Sequence, residues 1–265
     1  MSLSSFRTNK QRRSYGIICF VNKPTGLEIL LVKKAVTYNF VQFVNGIYKQ
    51  HNEHALTKLF SGMTFSEKLD ILNCNFASLW RRIYPRDDLN NVSFRKKASI
   101  FEDEMKWRGT EYIKKLMSKA TAIDTLWEIP KGRPDMDEKA IETAIREFNE
   151  ETQNQITNIE ILWHQPPYIE SYRDYGVTYI NTYYFACYKH EPSNTAPLNI
   201  DFRKNNIGEI VSARWFSVEQ LLRLDSVIFI SSYTKTLLEN AKKIIKKHSR
   251  TKFSIFDNAN PNKTS

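Results

Sequence analysis

The sequence predicts an α/β domain that is interrupted by an inserted all-helical domain. Two observations carry this prediction. Strand-like runs of apolar, β-branched and aromatic residues occupy both ends of the chain, whereas apolar residues recur every three to four positions between residues 36 and 120. The chain has 265 residues, which is enough for two units because one hydrophobic core usually serves roughly 100–200 residues.

The first predicted element is a hairpin. Residues 15–20 (YGIICF) and 27–32 (LEILLV) are strand-like, and residues 22–26 between them contain the turn formers proline and glycine. The following stretch has helical spacing, with Pro85 and the neighbouring aspartates as helix stop and start signals, and its last predicted helix covers residues 111–119. We therefore predict that a helical unit interrupts the domain that this hairpin begins.

Strand patterns return after this stretch. A loop over residues 130–134 leads into a helix over residues 138–152, and an amphipathic helix begins near Ser217. The further predicted strands are residues 126–129, 159–164, 177–188 and 213–216. The predicted units are residues 1–35 and 123–257 for the α/β domain, 36–122 for the helical insertion, and 258–265 for a flexible tail.

The helix predicted over residues 138–152 gathers three carboxylates. Glu147 lies three residues before Glu150 and four before Glu151, so the three side chains project from one face. Carboxylates that crowd together need cations, and hard oxygen ligands suit Mg²⁺ or Mn²⁺. The opposite face is apolar and should pack on a sheet; it consists of Ile141, Ala144, Ile145 and Phe148.

A salt-bridged surface helix is the alternative interpretation, because Arg146 can pair with Glu142 or Glu150 at a spacing of four. The preceding loop favours a functional site, since Gly132 stands between Lys131 and Arg133, and both cations could hold phosphate. The sequence therefore indicates a metal site that acts on a phosphate compound.

The same residues resemble a known family pattern. The Nudix box, Gly-x5-Glu-x7-Arg-Glu-apolar-x-Glu-Glu-x-Gly-apolar, is matched at every fixed position up to Glu151 by Gly132, Glu138, Arg146, Glu147, Phe148, Glu150 and Glu151. The pattern's final glycine and apolar residue fall on Gln153 and Asn154, and an asparagine there can adopt the left-handed conformation that ends a helix. The resemblance implies a Nudix α/β/α sandwich with a mixed sheet.

The resemblance also implies a ligand set and a reaction. Glu147, Glu150 and Glu151, with a backbone carbonyl at or beside Gly132, would bind Mg²⁺ or Mn²⁺, and water would attack a phosphorus of a diphosphate. The family usually has a general base outside the box. Glu209 is our candidate, because residues 208–217 resemble the corresponding Nudix segment. The alternatives are Glu170 and Asp174, in a loop predicted over residues 170–176.

Residues outside the box indicate the substrate. Residues 127–133 (WEIPKGR) resemble the Trp-x-x-Pro-Lys-Gly-Lys opening of eukaryotic messenger-RNA decapping enzymes, in which Lys131 and Arg133 would recognise phosphate. Most of the chain is similar to decapping Nudix proteins of large cytoplasmic DNA viruses, such as African swine fever virus. The resemblance implies hydrolysis of capped RNA to 7-methyl-GDP and 5′-monophosphate RNA.

Two alternatives to decapping stay open. The substrate could be a small charged diphosphate, such as a diphosphoinositol polyphosphate or a dinucleoside polyphosphate, because basic residues serve those compounds too. A protein of another class, a non-catalytic Nudix module that binds RNA, is the second alternative. The intact carboxylates disfavour it, because a binding module has no need for three negative charges near its anionic ligand.

The formal net charge of +10 favours RNA as a partner, because phosphates release counterions when cations bind them. One basic cluster lies in the insertion among the aromatic residues Phe94, Trp107 and Tyr112, and another covers residues 242–250. The predicted RNA-binding residues are Arg95, Lys96, Lys97, Lys114 and Lys115. Tyrosine rings could stack on the cap base, but tyrosines in strands more often pack against a core or a neighbouring strand, so we assign that role to none of Tyr168, Tyr172 and Tyr175.

No apolar run approaches the roughly 20 residues that span a bilayer, and no signal-peptide core follows the first residues. The three cysteines are far apart and form no CxxC pair, so neither a disulfide framework nor a zinc site is indicated. We therefore expect a soluble protein of a reducing compartment, the cytoplasm, and the host cytoplasm if the protein is viral.

Overall fold

The computed structural model describes residues 10–23, 26–121, 127–174, 177–189, 199–201, 209–217 and 243. Three predictions fall elsewhere. The helix predicted from Ser217 onward and the tail at 258–265 lie outside the described residues, and the second basic cluster is described only at Lys243. Tyr175 also lies outside them.

The described strands are β1 (Lys10–Lys23), β2 (Gly26–Lys34), β3 (Trp127–Glu128), β4 (Lys131–Gly132), β5 (Ile159–Ile161), β6 (Tyr168–Asp174), β7 (Val177–Tyr188), β8 (Asn199–Asp201) and β9 (Ile210–Ser217). The described helices are α1 (Tyr38–Val44), α2 (Glu53–Ser61), α3 (Phe65–Asn73), α4 (Phe76–Ile83), α5 (Val92–Arg108), α6 (Thr110–Lys119) and α7 (Ala140–Glu151). None of these helices has the length and apolar character needed to cross a bilayer.

The strands form one mixed sheet, as predicted. The hydrogen-bonded order is β5-β7-β1-β2-β9-β8, with β3 beside β2, β4 beside β1 and β6 beside β7. The long strand β1 pairs with β7 in parallel and with both β2 and β4 in antiparallel. The predicted hairpin is therefore confirmed, and β1 forms the centre of the sheet.

Both faces of the sheet are buried. On β1, Ile17 and Cys19 contribute to a cluster that includes Ala144 and Phe148 of α7, whereas Ile18 and Phe20 contribute to the cluster on the opposite face. This division follows from the alternation of side chains along a strand. The predicted apolar face of α7 thus packs on the sheet, which fixes the side from which its carboxylates project.

Several predicted bounds were wrong. Residues 131–132, predicted within a loop, form β4, because Lys131 and Gly132 pair with β1. Residues 170–174, also predicted as a loop, belong to β6, where pairing with β7 overrides the polar, turn-like composition. The short strand β8 was not predicted. The strand predicted at 159–164 ends at Ile161, and the one at 213–216 begins at Ile210.

The chain leaves helix α7 through the left-handed backbone conformation that the sequence predicts near Asn154. The backbone is left-handed at Gln153 (φ 49°) and Asn154 (φ 55°), where the Nudix pattern has glycine and an apolar residue. Asparagine is among the residues that tolerate this conformation best. The helix itself covers Ala140–Glu151 and is thus slightly shorter than predicted.

The six helices between β2 and β3 enclose a hydrophobic cluster of their own. Its largest members include Phe40, Phe43, Phe60 and Trp80. Helices α1 to α5 each begin after a threonine or asparagine whose side chain accepts a hydrogen bond from the third residue beyond it. Such caps satisfy amide groups that a helix start leaves without partners. We refer to these helices as the insertion and to the rest as the sheet domain.

Two neighbouring residues of α3 hold the chain where it enters and leaves the insertion. The carboxylate of Glu67 is fully buried and accepts hydrogen bonds from the backbone nitrogen (2.6 Å) and hydroxyl (2.8 Å) of Thr37. The ammonium of Lys68 donates to the carbonyl oxygens of Ala120 (3.0 Å) and Thr121 (2.8 Å). One turn of α3 therefore fastens both connections, and we call this arrangement the α3 clamp.

Candidate active site

The backbone of β4 lies directly against the carboxylates of α7. A Cβ atom added to Gly132 would lie 1.9 Å from Cδ of Glu147 and 2.1 Å from each of its carboxylate oxygens. The amide of Lys131 donates a 3.0 Å hydrogen bond to Glu151 Oε2. The structure thus brings Gly132, Glu147 and Glu151 together, and only glycine leaves room for Glu147 in this position.

The guanidinium of Arg146 orients two of the carboxylates. Its Nη1 donates hydrogen bonds to Glu147 (2.9 Å) and Glu150 (3.0 Å). Its Nε and Nη2 donate to the two carboxylate oxygens of Glu138, at 2.9 and 3.0 Å. The hydrogen bonds from Arg146 lower the pKa of Glu138 to about 2. The predicted pairing with Glu142 is therefore replaced by one with Glu138, because the loop before α7 folds back over the helix.

A second cation, Lys34, lies on the other side of the site. Its ammonium is 2.6 Å from Glu151 Oε1, 3.1 Å from Glu128 Oε1 and 3.5 Å from Glu209 Oε2. Burial alone would lower the pKa of Lys34, but the carboxylates of Glu128 and Glu151 raise it. Sequence reasoning missed Lys34 and Glu128; only the spacing of Glu128 three residues before Lys131 gave a signal for the latter.

The buried carboxylates differ in charge preference. Burial raises the pKa of Glu151 to about 7 despite the nearby Lys34 ammonium. Glu128 is half-buried, and although desolvation raises its pKa, the ion pairs with Lys131 and Lys34 outweigh this effect and lower it to about 2. Burial also raises the pKa of Glu147, with the charges of Glu150 and Glu209 adding to the effect and Arg146 opposing it. Such a site favours an added positive charge.

Glu209, the candidate general base, stands at the rim of the same site. Its side chain is 79% exposed, and its backbone oxygen accepts a 2.7 Å hydrogen bond from Ala35 at the end of β2. Of the alternatives, Glu170 lies on β6, where the Asn181 side chain donates to it at 3.4 Å, and Asp174 ends the same strand. The geometry thus places Glu209, rather than Glu170, beside the α7 carboxylates.

The donor set fits a divalent metal ion, although cations of the protein pair with the carboxylates here. Within the described ranges, no three acidic, histidine or cysteine side chains already converge as metal ligands. Glu147 and Glu150 contact Arg146, and Glu151 contacts Lys34. Carboxylate oxygens beside a backbone turn are the ligands that Mg²⁺ and Mn²⁺ prefer, and the 62% exposed Glu150 side chain is free to reorient.

Comparison with known proteins identifies the family. A family model described as "NUDIX domain" matches residues 114–237. The mRNA-decapping protein g5R of African swine fever virus, from the Warthog/Namibia isolate, is 31% identical over 249 residues, which cover 84% of this chain and 98% of that protein. This chain belongs to the Nudix family. The predicted resemblance is confirmed, and the protein is a Nudix hydrolase with the α/β Nudix fold.

Three further matches were found. Protein g5R of the Vero-adapted Badajoz strain is 32% identical over 220 residues, covering 78% of this chain and 84% of that protein. The solved structure of a C. elegans Ap4A hydrolase matches with a TM-score of 0.43 and 11% identity, covering 89% of this chain and 98% of that one. The NUDIX domain of Shewanella oneidensis NrtR matches with a TM-score of 0.40 and 13% identity, at 92% and 94% coverage.

Outside the Nudix box, several predicted residues already have partners. The ammonium of Lys131 is 2.7 Å from Glu128, whereas the side chain of Arg133 is exposed. Tyr172, considered for base stacking, stacks on Tyr179 with ring centroids 5.1 Å apart, and Tyr168 packs against the sheet core. Arg133 is therefore the more accessible of the two predicted phosphate ligands.

We expect Lys34→Met to destabilise the Nudix hydrolase in a metal-dependent way. Without the ammonium, the buried Glu151 and the half-buried Glu128 lose compensating charge, which costs about 2 kcal/mol, less than for a fully buried pair. Urea denaturation should show this loss in EDTA and a smaller loss in Mg²⁺ or Mn²⁺, which supplies the missing charge. Lys49→Met, a control at an exposed lysine of the insertion, should change little. Equal losses of Lys34→Met with and without metal would contradict a metal site here.

Proposed function

We propose that this Nudix hydrolase is an mRNA-decapping enzyme. Water attacks a phosphorus of the cap's triphosphate bridge, and the products are 7-methyl-GDP and 5′-monophosphate RNA. The observation that carries the proposal is the 31% identity to protein g5R along 98% of that protein, which extends over the insertion as well as the box. Because capped messenger RNA is translated in the cytoplasm, we propose a cytoplasmic location, in the host if the chain is viral.

In this proposal, Glu147, Glu150, Glu151 and the carbonyl of Gly132 hold Mg²⁺ or Mn²⁺. A bound ion of this kind lowers the pKa of water and offsets charge on phosphoryl oxygens. Support comes from the approach of Gly132 to Glu147 and from the raised pKa values of Glu147 and Glu151, which favour added positive charge. Glu147 and Glu150 are the catalytic carboxylates, and Arg146 positions both.

The general base and the phosphate ligands are residues at the rim of the site. Glu209 accepts the proton of the attacking water, because its exposed carboxylate stands within electrostatic reach of Glu147. Arg133 and Lys131 bind the phosphates of the cap bridge, since both follow the β3 strand that leads to the carboxylates. Arg133 makes the larger contribution in this proposal, because Glu128 already neutralises part of the Lys131 charge.

The insertion, for which we propose the bounds 36–122, supplies the RNA-binding surface. Its basic residues Arg95 and Lys96 are exposed on α5, and Lys97 beside them is half-buried. On the neighbouring helix α6, Lys114 and Lys115 are exposed, although Lys114 pairs with Glu111 at 2.7 Å. The two helices thus present cations for the phosphates of a long RNA, which a cap dinucleotide lacks.

Neutralising Arg95, Lys96 and Lys97 together with serine should weaken binding of uncapped RNA. The slope of log affinity against log salt should fall by about 2, because each phosphate contact contributes about 0.7 for single strands. Fluorescence anisotropy across a salt series measures this slope. A control variant removes three exposed cations of the sheet domain, Lys139, Lys189 and Arg173, and should keep the slope; equal changes in both variants would contradict an RNA surface on the insertion.

The decisive experiment compares substrates of different length. The full chain is incubated with cap-labelled RNA, free cap dinucleotide and a diphosphoinositol polyphosphate, each with Mg²⁺ or Mn²⁺. We expect labelled 7-methyl-GDP from the long RNA and little product from the dinucleotide. Equal or faster cleavage of the small compounds would refute decapping in favour of small diphosphates, and RNA binding without any cleavage would favour a binding module.

A further inference from the structure

Three aromatic residues lie among the basic residues of α5 and α6, and the structure separates them. Phe94 packs against the rings of Phe76 and Trp80 in the core of the insertion. The hydroxyl of Tyr112 donates to the Glu53 carboxylate. Trp107, by contrast, is 61% exposed near the end of α5. Single exposed apolar side chains are common on protein surfaces, so a function for Trp107 must be argued from the groups around it.

Trp107 is held in place although it is exposed. The guanidinium carbon of Arg108 lies 4.6 Å from the centroid of its ring, and the ring of His51 lies 4.4 Å away. Both neighbours are fixed by Glu104, whose fully buried carboxylate accepts hydrogen bonds from Arg108 Nε (2.7 Å) and the His51 amide (3.0 Å). The indole is therefore held by a cation and an imidazole while most of the residue's surface stays open to solvent.

This arrangement depends on unusual features of the fold. His51 has a left-handed backbone (φ 56°), which is uncommon for a residue other than glycine, although histidine tolerates it better than most. The Glu104 carboxylate has left water completely, and its ion pair with Arg108 compensates the buried charge. Features of this kind persist where the surrounding structure enforces them, often at binding sites.

Exposed ammonium groups lie on the helices that carry Trp107 and its neighbours. Lys106 precedes Trp107 on α5, and Lys115 and Lys119 are exposed on α6. The pKa of Glu53 is lowered first by the Tyr112 hydroxyl and then by the charges of Lys119, Arg108 and Lys115, so these three cations share one region of the surface with the Trp107 ring that Arg108 contacts. Lys119 Nζ is 3.8 Å from Glu53, so this negative charge is already compensated. An exposed ring on a basic surface fits a nucleotide, whose base stacks while its phosphates bind cations.

We propose that the exposed face of Trp107 is a stacking platform for one unpaired base of the RNA, with Lys106, Lys115 and Lys119 contacting the adjoining phosphates. The proposal rests on the RNA-binding role proposed for the insertion and names the residue of the insertion that contacts a base. Because every base has a flat π-face, the contact would add affinity without selecting a sequence. Arg108 is a positioning residue: its guanidinium contacts the indole and holds it in place, and it does not touch the RNA.

The test separates stacking from charge. Binding of an uncapped oligoribonucleotide is compared with that of an oligomer of equal length and charge in which abasic residues replace the nucleosides. Trp107→Ala should weaken binding of the first by about tenfold and that of the second by less than about twofold, because only the first can stack. Trp107→Phe should recover most of the loss. Trp163→Ala removes a tryptophan of the sheet domain that is 71% exposed and should change neither.

Fluorescence gives a second readout, since RNA should quench the emission of the full chain but quench Trp107→Phe distinctly less. Equal weakening on both oligomers, an unchanged affinity of Trp107→Ala, or a change in its sedimentation without RNA would overturn the proposal, the last by indicating a protein contact. Uncapped RNA keeps this test independent of catalysis. A stacking effect without cap hydrolysis would refute the proposed enzyme function alone.

Discussion

Glu150→Gln is expected to lower kcat for capped RNA by about 10³-fold, which corresponds to about 4 kcal/mol of transition-state stabilisation. The substitution keeps the shape of the side chain but removes one negative charge from the proposed metal site. Glu150 is 62% exposed and contacts Arg146 by one 3.0 Å hydrogen bond, so the fold should not depend on it. Single-turnover hydrolysis of cap-labelled RNA measures the effect.

The control for Glu150→Gln lies on the same helix. Glu142 is an exposed carboxylate of α7 that accepts a hydrogen bond from the Lys139 amide and stands apart from the Arg146 network. Glu142→Gln should retain activity within about threefold, because it removes the same charge without removing a metal ligand. Both variants should bind uncapped RNA with wild-type affinity. Wild-type turnover of Glu150→Gln would refute the site assignment.

Gly132→Ala is expected to cause the second large loss, about 10²-fold in kcat, through displacement of a carboxylate. The new methyl carbon would lie 1.9 Å from Cδ of Glu147 and 2.1 Å from each of its carboxylate oxygens, so the two groups cannot both keep these positions. The end of a glutamate side chain can swing away, so the protein should fold with a small loss of stability. The proposed ligand, however, then points away from the metal, and misplacement by 1 Å can cost about 10²-fold.

A matched control for Gly132→Ala exists in the insertion. A Cβ atom at Gly62 would lie 2.0 Å from the side-chain amide of Asn39, a collision of the same kind without a carboxylate. Gly62→Ala should show a similar shift of the thermal midpoint and unchanged cleavage. If the two variants lost activity to the same degree, general destabilisation would explain the loss in Gly132→Ala. The inference that activity depends on the closeness of β4 to the Glu147 carboxylate would then be wrong.

The parts of the site that could be predicted from sequence are local. The spacing of Glu147, Glu150 and Glu151 defines one helix face wherever the helix lies, and the apolar positions Ala144 and Phe148 define the face that packs. The helix exit was predictable for the same reason, because Asn154 tolerates a left-handed backbone. Patterns within about four residues thus determined this half of the site.

The other half depends on contacts between distant segments. Lys34 reaches Glu151 across 117 positions of sequence, and no local pattern marks a strand-end lysine as a partner of a helix carboxylate. The strand β6 escaped prediction because its pairing with β7, rather than its composition, makes it extended. The choice of Glu138 over Glu142 by Arg146 likewise depends on how the preceding loop folds back.

The α3 clamp has a consequence for the insertion as a unit. Glu67 binds Thr37 at one end of the insertion and Lys68 binds Ala120 and Thr121 at the other, so separating the two ends breaks buried hydrogen bonds. The insertion is therefore closed on itself, and its two connections leave it from one helical turn. An RNA bound to α5 and α6 would meet one closed unit rather than a chain of six separate helices.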